Sequence, residues 1–138
     1  RRLPDILSRR REIAAAYDRA FSGWETLRIP ATSPDVRHAY HLYPVRYRAN
    51  GAGGDRGNFF RLLREQGIGA NVHYLPVHLH PYYSNRYGYR RGDYPVAESA
   101  HDELISLPIF PAMTDEDLSR VIEAVRRAAS RDAGKEQA

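Results

Sequence analysis

Residues 38–47, HAYHLYPVRY, decide between an all-helical chain and a mixed one. Tyrosine and valine are concentrated there, and both suit a pleated, half-buried strand. Pro44 has no N–H to give to a ladder, so the strand is predicted to break there or to present an edge at that point.

Outward from this strand, the sequence reads mostly as helices. Residues 4–21 are predicted helical, because Pro4 suits a first position and Ile6, Ile13, Tyr17, Ala20 and Phe21 fall near one face. Gly23 supplies the stop. Residues 24–37 read as a loop with a short extended piece around Leu27 and Ile29. After the strand, Gly51, Gly53, Gly54 and Gly57 mark a flexible turn, without the Lys-Ser/Thr ending of a phosphate-binding loop. Asp55 is placed to cap a second helix at 56–66, closed by Gly67.

IGANVHYLPV at 68–77 is read as a second strand, with Val72 and Tyr74 on one face and His73 on the other. SNRYGYRRGD at 84–93 reads as a polar turn, and Pro95 opens a third helix at 95–105. The last helix carries the fullest signature. Thr114 and Asp117 form a near capping box, and Met113 is placed to staple onto Leu118. Leu118, Val121, Ile122, Val125 and Ala129 then keep one face, while early acids and late arginines complement the helix dipole. The order helix, strand, helix, strand, helix, helix is α+β, a small sheet with helices packed on one face.

Length and composition fit one soluble globular domain: 138 residues, 28% charged and 42% hydrophobic. It divides into a lead-in helix (1–23), a body (24–130) and a flexible tail (131–138). No apolar run is long enough to span a bilayer, and RRLPDILSRRR lacks the apolar stretch of a signal peptide, so a cytoplasmic protein is expected. There is no cysteine, which removes thiolate nucleophiles, disulfides and Cys-based zinc sites. The net charge is +4, and every basic residue but Lys135 is arginine.

The richest stretch chemically is VHYLPVHLHPYY, residues 72–83. His73, His78 and His80 raise the question of a metal. Pro76 and Pro81 break regular structure there, no carboxylate follows before Asp93, and the spacing matches no standard zinc motif, so no metal is assigned. No G-x-S-x-G elbow is present. The arginines are scattered among acids without an RNA-binding signature, which leaves a nucleic-acid-binding domain as a minor alternative. Packing at a domain or subunit surface is the plain reading of the tyrosines.

Two longer blocks carry a resemblance: GIGANVHYLPVHLHPYY (67–83) and GYRRGDYPVAESAHDELISLPIFPAMTDEDLSRVIEAV (88–125). Together with RRREIAAAYDRAF and HAYHLYPVRY upstream, they resemble the C-terminal portion of nucleotide-sugar aminotransferases of the DegT/DnrJ type. The likeness covers about residues 3–127. Within the family, VHLHPYYSNRYGYRRGDYPVAE is most similar to transaminases that aminate a UDP-linked 4-keto-6-deoxy-N-acetylhexosamine, giving UDP-4-amino-4,6-dideoxy-N-acetyl-altrosamine.

The resemblance implies the small antiparallel sheet and helices of a fold-type-I C-terminal domain, in a homodimer that uses pyridoxal phosphate on a lysine. Lys135, in the tail, is no candidate for that lysine, and the large cofactor-holding domain is not in these residues. The chain is therefore expected to be non-catalytic alone, with no cofactor or catalytic residue of its own. The same resemblance implies substrate contact for His73, Tyr74 and His78, and for Tyr82 and Tyr83 beside them. Imidazole and phenol suit that role, since they donate and accept hydrogen bonds and cover a sugar or uracil face. His80 departs from the polar residue the pattern calls for and receives no role. A non-catalytic module that associates with a full-length aminotransferase is the other reading.

Overall fold

The computed structural model describes residues 2–48 and 55–132. Helix α1 (Leu3–Phe21) leads to a two-residue strand β1 (Leu27–Arg28) and then to β2 (Tyr43–Tyr47). Helix α2 (Arg56–Glu65) follows, then a single 3-10 turn (Val77–Leu79) and helix α3 (Pro81–Tyr87). Helix α4 (Pro95–Glu103) runs directly into β3 (Leu104–Leu107), and α5 (Asp115–Asp132) closes the described chain. The architecture is α+β, with an antiparallel sheet in the order β1-β2-β3.

Alternation along β2 builds the core. Tyr43, Val45 and Tyr47 are buried, while Pro44 and Arg46 face the other way and are half-buried. Against the buried face lie Ile13, Ala14, Tyr17 and Phe21 of α1, Phe59, Leu62 and Leu63 of α2, and Leu118, Val121 and Val125 of α5. Three helices therefore cover one face of the sheet. Helices α3 and α4 contribute no apolar side chain to that core.

The core tyrosines need partners for their hydroxyls, because an unpaired buried hydroxyl offsets much of what burying its ring gains. Tyr17 donates to the Pro108 carbonyl at 2.7 Å, Tyr43 to Asp18 at 2.5 Å and Tyr47 to Asp132 at 2.7 Å. Burial holds all three phenols well above their ordinary pKa.

Capping follows the sequence. Asp55 accepts from the Asn58 amide at 2.6 Å, and Thr114 and Asp117 exchange bonds at 3.1 and 3.2 Å in a reciprocal box. Gly67 takes φ +75°, the left-handed turn expected after α2. Pro44 lies inside the central strand, yet no ladder bond is lost. Its cross-strand partner Ser106 spends both its N–H and its carbonyl on Asn71, and β1 has already ended opposite Arg46. The strand thus has a local edge at Pro44.

Four expectations are corrected. Residues 68–77 do not form a strand; only Asn71 pairs, in a single bridge to Ser106. The third strand is instead Leu104–Leu107, and the helix predicted at 95–105 stops at Glu103. Residues 84–87, read as turn, belong to α3. Arg131 and Asp132, assigned to the tail, are the last turn of α5, where Asp132 holds Tyr47. The glycine turn at 49–54 and Lys135 lie outside the described residues.

Candidate functional site: a tyrosine-walled pocket anchored by Glu98

Residues 80–97 project from the core, and nearly all are exposed. One buried group pins them. Glu98, in the first turn of α4, is only 5% exposed, and every contact of its carboxylate is to a donor. Gly92 N–H reaches both oxygens at 3.0 and 2.8 Å, Tyr94 N–H reaches one at 3.1 Å, and His78 Nε2 lies 2.9 Å from the same oxygen. An acid in a first helical turn also complements the dipole. Burial pushes the Glu98 carboxyl up, but the Gly92, Tyr94 and His78 hydrogen bonds outweigh it and hold the group below the usual carboxylate range.

This anchor sets a row of rings. His78 packs on Tyr94 with centroids 4.7 Å apart, Tyr94 on Tyr89 at 5.7 Å, Tyr89 on Tyr87 at 6.0 Å and Tyr87 on Tyr83 at 6.3 Å. Interaction with Tyr89, chiefly a side-chain hydrogen bond, raises the Tyr94 phenol above its ordinary value. The rings, with Val77 and Ala97, enclose an open pocket of about 550 Å³. That volume lies in the range of small-molecule sites.

Of the five residues singled out from the sequence, the pocket gathers two, His78 and Tyr83. Tyr82 meets Tyr83 edge-on at 5.3 Å but is 66% exposed and outside the pocket wall. His73 and Tyr74 contact each other at 4.7 Å, with Tyr74 71% exposed, and neither lines the pocket. His73 Nδ1 is buried and has no hydrogen-bond partner among the described residues. His80 Nε2 is bound to the Leu75 carbonyl at 3.1 Å, a local turn contact. Among the described residues, no three histidine, aspartate or glutamate side chains converge as metal ligands.

Sequence reasoning missed Tyr87, Tyr89, Tyr94 and Glu98. A signal was available: three tyrosines within eight residues, followed by a glutamate four residues past Tyr94, is unusual for a solvated turn. Charged and glycine neighbours give the same stretch the composition of a solvated turn.

Residues 1–126 match the sequence pattern of the DegT/DnrJ/EryC1/StrS aminotransferase family. The chain belongs to this family. It is 42% identical over 127 residues to the spore coat polysaccharide biosynthesis protein SpsC of Bacillus subtilis, covering 91% of this chain and 33% of SpsC. It is 36% identical to the dTDP-3-amino-3,6-dideoxy-alpha-D-galactopyranose transaminase of Aneurinibacillus thermoaerophilus, covering 91% of this chain and 32% of that enzyme. The fold superposes on the PMP form of the sugar aminotransferase Spr1654 of Streptococcus pneumoniae with a TM-score of 0.86, at 30% identity, covering 96% of this chain and 33% of that one. The chain thus spans about a third of the length of these family members.

DegT-family aminotransferases depend on pyridoxal phosphate, and Spr1654 was solved in its PMP and PLP forms. The described residues include no lysine and hence no side-chain amine to bond its aldehyde. What these residues offer is the aromatic pocket and the loop beside it.

Proposed function

We propose that this chain is the small C-terminal domain of a pyridoxal-phosphate-dependent nucleotide-sugar aminotransferase and supplies part of the substrate side of the cleft. In this reading a large domain carries the cofactor and its lysine, and the complete enzyme is a cytoplasmic homodimer. The observation that carries the proposal is the aromatic pocket hung on Glu98, built from the same 67–98 stretch that bears the family motifs. Hydroxyl- and imidazole-bearing rings suit a sugar nucleotide, which offers ring faces and many hydrogen-bonding groups.

His73, Tyr74, His78, Tyr82 and Tyr83 are proposed as substrate contacts. For His78 the contact runs through the ring face or Nδ1, since Nε2 is engaged by Glu98. Tyr74 and Tyr82 are well exposed, as a residue waiting for a ligand or a facing domain must be. The acceptor is proposed to be a UDP-linked 4-keto-6-deoxy sugar. A dTDP-linked sugar is the second reading, favoured by the 36% identical dTDP-sugar transaminase.

The 138-residue chain, supplied with pyridoxal phosphate, glutamate and either keto-sugar nucleotide, is expected to show no transamination, with or without Lys135→Ala. A longer parent carrying an upstream lysine is expected to transaminate the UDP-linked sugar faster than the dTDP-linked one. Turnover by the short chain, or none by the parent with either nucleotide, overturns the proposal.

A further inference from the structure

We infer that the cleft between the first turns of α1 and Arg37 is a binding site for a small organic monocarboxylate. Arg11 and Arg37 take its head, and Leu3, Pro4 and Leu7 take its apolar body. The cleft shares no lining residue with the tyrosine-walled pocket, and the inference does not rest on the function proposed for that pocket.

The cleft is open and has a volume of about 560 Å³, within the range of small-molecule sites. Leu3, Leu7 and Arg11 are four residues apart, so they stand in line on one face of α1, with Pro4 and Ser8 beside them. Arg37 closes the opposite wall. These first turns lie ahead of Ile13, the first core residue of α1, and Leu3 is 63% exposed. The apolar wall therefore belongs to the cleft and not to the core.

Both guanidinium groups are available, and one is held in place. Arg11 donates from Nε to the His38 carbonyl at 3.2 Å, which orients its side chain, while its terminal nitrogens have no partner among the described residues. The same bond fixes α1 against the loop that carries Arg37. That loop is tightened by the Val36 amide on the Ser33 carbonyl and the His38 amide on the Val36 carbonyl, both at 3.1 Å. Arg37 makes no hydrogen bond or ion pair among the described residues. The two arginines preceding Arg11 are spent: Arg9 on Asp115 and the Met113 carbonyl, Arg10 on the carbonyls of Tyr40, His41 and Ile109.

Charge selects the guest. Asp5 is the one carboxylate among the described lining residues, and Asp35, although close to Arg37 in the chain, does not line the cleft. Two guanidinium charges against one carboxylate leave a single positive charge, which suits a monoanion better than a phosphate dianion. The guanidinium fork also matches the planar geometry of a carboxylate. Ser8 already donates to Glu12 at 3.2 Å, so its hydroxyl proton is not offered to the guest.

The test titrates the 138-residue chain with hexanoate at low salt, followed by NMR. Saturable binding is expected, with shifts on Leu3, Leu7, Arg11 and Arg37. Arg37→Ala should weaken hexanoate by about tenfold, the loss expected for a charge-assisted contact. Arg37 is exposed and bonds to no described residue, so its removal leaves the fold intact. Asp5→Asn should tighten binding by removing the opposing charge. Leu7→Ala should weaken hexanoate while leaving the feebler binding of acetate unchanged. Absence of saturable binding, hexanoate binding insensitive to Arg37→Ala, or hexanol binding as tightly as hexanoate would each overturn the site. Methyl phosphate binding more tightly than hexanoate would overturn the assignment of a monocarboxylate.

Discussion

His78 Nε2 and Glu98 Oε1 meet at 2.9 Å across 20 residues of sequence, and both side chains are less than a tenth exposed. This contact ties the 3-10 turn to the start of α4 and closes the otherwise solvated loop between them. The same carboxylate holds the Gly92 and Tyr94 amides, so one residue fixes the turn, the loop and the ring row together.

Glu98→Ala is therefore expected to release the arm without unfolding the core. Amide exchange at Gly92 and Tyr94 should accelerate, while Val45 and Ile105, buried in the sheet, keep their protection. Glu98→Gln should give a smaller effect, because it keeps an acceptor oxygen. Equal acceleration in the core would show that Glu98 supports the whole fold instead.

Acid should act on the sheet through Glu103. Burial raises the Glu103 carboxyl, but Arg48 and Arg46 outweigh it and hold the group below its usual value. A carboxyl with a depressed folded-state pKa contributes stability that is fully present above the unfolded value, about 4.3 for glutamate, and is lost as pH falls through the folded value. The urea midpoint should stay flat through neutral pH and fall only in the acid limb. Glu103→Gln should lower the neutral plateau and make that limb shallower. An unchanged slope in the variant would refute the link.

Tyr47 lies flat on Phe59, with centroids 3.9 Å apart and planes 10° from parallel, and its hydroxyl donates to Asp132. Tyr47→Phe removes only the hydrogen bond and should cost about 1 kcal/mol. Phe59→Ala opens a cavity under the ring and should cost about 3–5 kcal/mol. Urea denaturation measures both, and comparable losses would mean that the stack is not what holds α2 to the sheet.

The reciprocal Thr114–Asp117 cap starts the helix that contributes Leu118, Val121, Ala124, Val125 and Ala128 to the core. Thr114→Ala should cost about 1 kcal/mol, with thermal melting as the readout. Thr114→Ser should recover most of it. No loss in the alanine variant would mean that water satisfies the first turn equally well.

Features that depend on neighbours in sequence were legible. The first helix, the Asp55 cap, the Gly67 stop and the last helix with its box all follow from residues three or four apart. The sheet was only partly legible. HAYHLYPVRY contains the central strand, but NVHYLPV carries comparable β-propensity and forms a single bridge, because Ser106 offers it one pair of bonds and the chain then turns at Pro76. LISL was hidden because it follows α4 with no glycine or proline between them. In the candidate site, His78 and Tyr83 were found from their motif, whereas Tyr87 joins them one turn on in α3 and Tyr94 is held beside His78 by the bonds Glu98 makes.

The ten tyrosines show where local information ends. The sequence by itself determined helix phase, caps and stops, since those are settled by bonds within one turn of chain. Helix phase already put Tyr17 on the apolar face of α1; only the tertiary structure decided that Tyr43 and Tyr47 enter the core while Tyr83, Tyr87, Tyr89 and Tyr94 line an open pocket. A tyrosine can be buried only where another segment accepts its hydroxyl and covers its ring. For Tyr17 that acceptor is Pro108, 91 residues away.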